Sequence, residues 1–271
     1  MPALTPPDSR AAVERFLNLR WNDDDPHRWA QPLVSELTGG RGGLFGGCAV
    51  GAVIAGLERA AGRPLAWVTG QFLAACRPPD ELRFEVDRLV EGRNIAQATV
   101  VARVGGADVL AFQAALGARP ATEGRLRSGS MPAVAPPDRC QPVEPPAGTG
   151  GLRPRFDGRS TPPRPGDDPA TSRWWFRTEE LADQGDPALL AVVLDFVPMA
   201  LSASLGRPVF GASLDNTVRV VERGATPWVL AELTLDSLSD GIAHVTGRAW
   251  SDAGVLLAVG SQTCVVADRP G

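Results

Sequence analysis

Residues 187–206 read PALLAVVLDFVPMALSASLG, an apolar run in which Asp195 is the sole charged side chain. Its small and aliphatic residues suit a helix buried on most sides, where an unpaired carboxylate would cost several kcal/mol. Asp195 therefore needs hydrogen-bond partners or a chemical task. Pro198, three residues on, leaves a second reading open, in which Asp195 is a helix cap.

A run of the same character occurs earlier, at residues 46–61 (GGCAVGAVIAGLERAA), with Gly62-Arg-Pro as its stop. A loose strand, Trp29 to Leu37, and the turn Thr38-Gly-Gly-Arg-Gly-Gly precede it. Strand-like stretches follow at 65–73, 82–90, 95–104 and 109–116. The order recurs after the second run, with Trp174-Trp-Phe-Arg ahead of it and strands expected at 211–222, 227–235, 241–251 and 254–267. Ile95-Ala-Gln-Ala-Thr-Val-Val-Ala-Arg lies over Ile242-Ala-His-Val-Thr-Gly-Arg-Ala-Trp at an offset of 147 (242 − 95), and Ile, Ala, Thr and Ala recur in register. The expectation is an α+β fold of two copies of about 110 residues, each an antiparallel sheet wrapped around a helix. The copies span 1–119 and 172–271, and the proline-, glycine- and arginine-rich segment 120–171 is expected to be a long linker, lying over the surface or partly disordered.

With 271 residues and 44% hydrophobic composition, the chain can bury a full core without staples. A net charge of −4 argues against nucleic-acid partners, which need a basic face. There is no lysine, which removes the lysine nucleophile, the Schiff base and the phosphate-loop lysine together. No G-x-S-x-G occurs, and the two histidines, His27 and His244, have no evident partner spacing, so a Ser-His-Asp hydrolase is disfavoured. Cys48, Cys76, Cys140 and Cys264 form no CxxC pair and read as free thiols; no metal and no cofactor are expected. The amino terminus lacks the pattern of a secretory leader, and Asp195 and Pro198 interrupt the best candidate for a membrane span. A cytoplasmic protein without membrane contact is expected, and a homo-oligomer is left open.

Five short stretches then carry a family resemblance: Phe45-Gly-Gly, Leu194-Asp-Phe-Val-Pro, Ala212-Ser-Leu-Asp-Asn, Trp228-Val-Leu and Asp252-Ala-Gly-Val-Leu-Leu-Ala-Val-Gly-Ser-Gln. In this order and spacing the chain resembles the acyl-CoA thioesterases of type II, over residues 29 to 267. The resemblance implies a double hotdog fold, an acyl-CoA substrate, and a catalytic set of Asp195, Ser213 and Gln262. That chemistry is coherent, because a buried carboxylate can take a proton from water while a hydroxyl and an amide orient it. Taken singly, Ser213 and Gln262 would read as ordinary strand residues.

The amides near Gly46 and Gly47, at a helix start, are candidate oxyanion donors, with close packing as the plainer account. Asp215, two residues beyond Ser213, is expected on the same strand face and in a supporting role. Coenzyme A phosphates would call for cations at the mouth of the site, such as Arg77 or Arg93. The sequence departs from the family at Cys48, where glutamine is common, at Asn216, where histidine is usual, and in the poorly matched stretch AWVTGQFLAACRPPDE. A non-catalytic acyl-binding protein is the rival reading. A double hotdog hydratase is disfavoured, because Asp215-Asn-Thr-Val-Arg lacks the proline and histidine that it would need.

Overall fold

Two apolar helical segments and the strands that follow each of them organise the molecule, as seen in a computed structural model that describes residues 7–119, 129–145 and 151–268. After α1 (Pro7–Phe16) and the short strands β1 (Arg20–Trp21) and β2 (Arg28–Pro32) comes α2 (Gly46–Ala61). It is followed by β3 (Leu65–Phe72), β4 (Glu81–Glu91), β5 (Ile95–Val104) and β6 (Ala107–Gly117). The second half has β7 (Gln141–Pro142), β8 (Asp157–Ser160) and β9 (Thr171–Arg177). Then come α3 (Pro187–Leu194), α4 (Val197–Leu205), β10 (Val209–Val220), β11 (Val229–Ser239), β12 (Ile242–Ser251) and β13 (Leu256–Asp268). The sequence places α2 and most strands to within two residues. The first strand is shorter than expected, with a turn of 3-10 helix at Ser35–Leu37 beyond it.

All strands join one antiparallel sheet in the order β1-β2-β4-β5-β6-β3-β10-β13-β12-β11-β9-β8-β7. Apart from the outermost strand β7, which has no counterpart, the order is palindromic about the β3–β10 pair, so the halves meet edge to edge and neither leaves a free central edge. At that seam Thr69 lies opposite Thr217, and their hydroxyls are 2.7 Å apart. The sheet wraps the helices on its concave side, which is the double hotdog architecture. A buried ion pair between Glu58 on α2 and Arg223, beyond β10, adds a second tie across the halves, and Glu58 also accepts the N–H of Leu65 at 2.7 Å.

The expected single helix over 187–205 is two helices. Pro198 has no N–H to give the Leu194 carbonyl, and its ring crowds that carbonyl, so the helix stops at Asp195 and restarts at Val197. The stretch is apolar and long enough to cross a bilayer by composition, but two-thirds of it lies buried inside the fold.

The segment expected to run over the surface is corrected in its described part. Leu152 and Phe156 are core residues, and Phe156 meets Phe16, Phe176 and Phe196 edge to face at 5.3–6.2 Å. β8 extends the sheet beyond β9, and the Trp175 indole donates to the Ala135 carbonyl at 2.9 Å. Two large apolar side chains within a polar, proline-rich window are enough to pin it to the core, and an averaged composition hides them. Residues 120–128 and 146–150 of the expected linker lie outside the described residues.

α2 and α3 approach closely because of two glycines one helical turn apart. A Cβ at Gly47 would lie 2.7 Å from the Ala191 oxygen and the Val192 Cα, and one at Gly51 would lie 2.8 Å from the Ala188 oxygen. Gly51→Ala is therefore expected to destabilise the fold by about 1–3 kcal/mol, as overpacking does, read as a lower denaturation midpoint in urea. A midpoint equal to that of the wild type would contradict the close approach.

Candidate active site

The break between α3 and α4 aims Asp195 at the amino-terminal end of α2. The residue is 3% exposed. Its Oδ2 accepts the Gly47 N–H at 2.7 Å and its Oδ1 accepts from Asn216 Nδ2 at 3.1 Å. Burial, which disfavours charge, raises its pKa to about 7, against the opposing pull of the bonds from Gly47, Gln262 and Asn216. The carboxyl group is thus poised to gain or lose a proton near neutrality. Asp195 does stand at a helix end, as the carboxy-terminal cap of α3, but its side chain serves the first turn of α2 rather than its own helix.

Ser213 and Gln262 come to the same place from adjacent strands. Gln262 Nε2 donates to Ser213 Oγ at 2.5 Å, while Gln262 Oε1 is buried without a partner among the described residues. A bulge in β10 makes this possible. Ser213 lies opposite Cys264, Asp215 opposite Thr263 and Asn216 opposite Gln262, so Leu214 is the extra residue. The bulge overturns the expectation for Asp215, which alternation would have placed beside Ser213. It faces away, accepting the Thr263 N–H at 2.6 Å on the other side of the strand, and Asn216 takes the inward position. Asn216 is the residue that sequence reasoning passed over as a departure from the family. Its signal was there, a short amide donor one position from Asp215, but only the bulge turns it toward Asp195.

The two glycines part company. The Gly47 N–H is committed to the Asp195 carboxylate, which corrects its expected availability to an oxyanion. Gly46 lines the cavity and opens α2, where an N–H has no intrahelical acceptor. A Cβ there would come within 3.2 Å of Asp195 Oδ2 and of the Phe72 ring.

Asp195, Ser213 and Gln262 lie on the wall of a cavity of about 630 Å³, whose apolar lining includes Phe45, Phe72, Leu110, Phe196, Met199 and Phe210. Arg77 borders this cavity and Arg93 does not. All four cysteines are free and buried; burial pushes Cys76 and Cys264 up to about 11, which keeps these thiols protonated. Among the described residues no group of three or more metal-ligating side chains occurs.

Among the described residues there is one such polar set, although the halves match. The register that equates Thr69 with Thr217, and Gln113 with Ser261, equates Val68 with Asn216 and Ala114 with Gln262. Gly47 occupies the position 148 residues before Asp195. The first half therefore contributes a helix start and an apolar wall, and the second half contributes the acid and the amides.

Comparison with known proteins agrees with this architecture. Residues 35–117 match the model of the acyl-CoA thioesterase N-terminal domain, and residues 131–266 match that of the acyl-CoA thioesterase C-terminal domain. A protein from Novosphingobium aromaticivorans, provisionally described as a thioesterase, superposes with a TM-score of 0.82 at 28% identity, covering 91% of this chain and 97% of that one. A conserved hot dog protein of unknown function from Alicyclobacillus acidocaldarius gives 0.79 at 22%, covering 96% and 99%. The acyl-CoA thioesterase II TesB2 of Mycobacterium marinum gives 0.70 at 21%, covering 96% and 99%. No curated protein sequence matches the chain.

The raised pKa of Asp195 has a consequence for stability. The folded state holds this proton up to about pH 7, whereas an unfolded aspartate releases it near 4, so stability falls as pH rises between those values and levels off above. Asp195→Asn is expected to remove that slope, leaving the variant more stable than the wild type at pH 8 and closer to it at pH 4. Parallel pH profiles for the two proteins would contradict the assignment.

Proposed function

The chain belongs to the acyl-CoA thioesterase family, and on that premise we propose that it hydrolyses an acyl-CoA thioester to a carboxylic acid and free coenzyme A. The observation that carries this reading is the buried Asp195, near neutral pKa, in the wall of an apolar cavity beside Ser213 and Gln262. Ionised Asp195 takes a proton from a water molecule as the water oxygen bonds to the thioester carbonyl carbon. Ser213 accepts from Gln262 and so keeps its own O–H to give to that water oxygen; the unpartnered Gln262 Oε1 is a second acceptor that can orient it. The Gly46 N–H at the start of α2 is the donor assigned to the developing oxyanion. When the tetrahedral intermediate collapses, the C–S bond breaks and the proton held by Asp195 passes to the departing thiolate.

The rival reading, a non-catalytic acyl-binding protein, would be favoured by an Asp195 that is exposed or turned away from Gln262. At 3% exposure, and held by bonds from Gly47, Gln262 and Asn216, Asp195 argues against it.

Thiol release from a panel of short, medium and long acyl-CoAs tests the proposal. Wild type is expected to turn over at least one, and folded Asp195→Ala to lose roughly a hundredfold or more, the usual scale of a general base. kcat/KM should rise to a plateau above about pH 7, because the base must be ionised. Activity that survives in Asp195→Ala would sink its assigned role. Asn216→Leu removes one bond to the charged form, and is expected to shift the rise toward higher pH; an unmoved profile would remove Asn216 from the account.

A further inference from the structure

Asp195 stands between two side chains that are themselves held. Phe196 stacks on Phe176 with ring centroids 4.6 Å apart and meets Phe156 edge to face at 5.3 Å. Leu194, which is buried, is received by the sheet. Gly247 on β12 and Gly260 on β13 lie directly opposite each other beneath it. A Cβ at Gly247 would lie 2.9 Å from Leu194 Cδ2, and one at Gly260 would lie 3.3 Å from Leu194 Cδ1. Neither glycine has a positive φ, so the backbone conformation does not call for them. A glycine in mid-strand weakens the strand, and here the two of them make room.

The first half is built the other way round. The register that equates Ala114 with Gln262 equates Phe112 with Gly260 and, on the adjoining strand, Val100 with Gly247. The offset of 148 that sets Gly47 against Asp195 sets Gly46 against Leu194. Large and small residues are thus exchanged between the halves, and the glycine socket lies in the half that carries the acid. It also adjoins the amides. Gln262 is two residues along β13 from Gly260, and a void of about 10 Å³, barely enough for one water, lies among Leu194, Gly247, Gly260, Asn216 and Gln262.

We propose that Leu194, seated between Gly247 and Gly260, is a positioning residue that holds the Asp195 carboxyl group within reach of Asn216 and Gln262. The helix break explains why one is needed. Pro198 has no N–H to give the Leu194 carbonyl, so the end of α3 is not fixed by a continued helical ladder, and side-chain packing takes over that task. The proposal rests on the thioesterase reading for its effect on rate, whereas its effect on Asp195 is independent of that reading.

Gly247→Ala tests this, because the added methyl group meets at close range the Cδ atoms of Leu194 and Leu233, side-chain ends that can give way while the sheet still forms. The adjoining void lets Leu194 yield toward Asn216 and Gln262. On the best acyl-CoA, kcat is expected to fall roughly tenfold with KM within about twofold of wild type. The rise of kcat/KM should move to higher pH, because the bonds that favour the charged carboxylate are weakened. Cys48, Cys76 and Cys264 are thiols that burial keeps protonated, the cavity-wall arginines Arg41, Arg77 and Arg153 stay charged, and Asp215 faces the other side of its strand, so the profile reports Asp195. Leu194→Val removes the volume that Gly247→Ala adds. The double variant should therefore recover most of kcat and the wild-type profile, although Leu194→Val alone should also lose rate. Leu82→Ala, a core truncation in β4 of the other half, should lower the urea midpoint and leave the pH profile in place. A Gly247→Ala enzyme with wild-type kcat and profile, or a loss that Leu194→Val does not recover, would overturn the proposal while leaving the hydrolytic reading intact. A carbon-13 NMR titration of Asp195 needs no turnover. If wild type hydrolyses no acyl-CoA, the thioesterase reading fails; an Asp195 midpoint raised in Gly247→Ala and restored in the double variant would still support the socket, and an unmoved midpoint would overturn it.

Discussion

The hydrogen bond from the Gly47 N–H to the Asp195 carboxylate joins the two halves of the chain at the point where the chemistry is placed. It depends on α2 and α3 lying closer than side chains would allow, which the glycines at 47 and 51 permit. It depends equally on Pro198, which breaks the second helix so that the aspartate leaves the helical ladder and turns toward α2. A carboxylate taken out of water needs such donors, and the first turn of a helix from the other half supplies one along with its dipole.

The duplication gives this arrangement its asymmetry. A sheet palindromic about β3 and β10 holds two equivalent positions, yet only one has the acid and the amides; Val68, Ala114 and Gly47 stand at the other. Once the halves share a chain, one half is free to lose the polar groups and keep the backbone donor. The second half is free to bury an aspartate it could not stabilise alone. The Glu58–Arg223 pair and the Thr69–Thr217 contact hold the halves in the register on which the site depends.

Much of this could be read in the sequence, for reasons specific to each element. Residues 46–61 are so uniformly small and apolar that the limits of α2 follow from composition and from Gly62. Asp195 stood out because a lone charge in an apolar run is costly. Ser213 and Gln262 were legible through their company in a family pattern and would have gone unnoticed singly. What escaped were effects that depend on neighbours in space. The bulge at Leu214 turns Asp215 outward and Asn216 inward, against simple alternation. Leu152 and Phe156 find the core only because the aromatic rings of Phe16, Phe176 and Phe196 are already there. Of the two arginines that the sequence offered for the mouth of the site, only Arg77 borders the cavity, because the loop after β3 brings it there.

Burial, opposed by the hydrogen bonds it accepts, leaves Asp195 with a proton to exchange near neutrality. Carbon-13 NMR of protein labelled at the aspartate carboxyl carbons, with the Asp195 signal identified by its absence from Asp195→Asn, reads that ionisation directly. A midpoint at about 7 is expected, well above the ordinary aspartate value. A signal that titrates near the ordinary aspartate value of about 4 would contradict it and remove the base from the site.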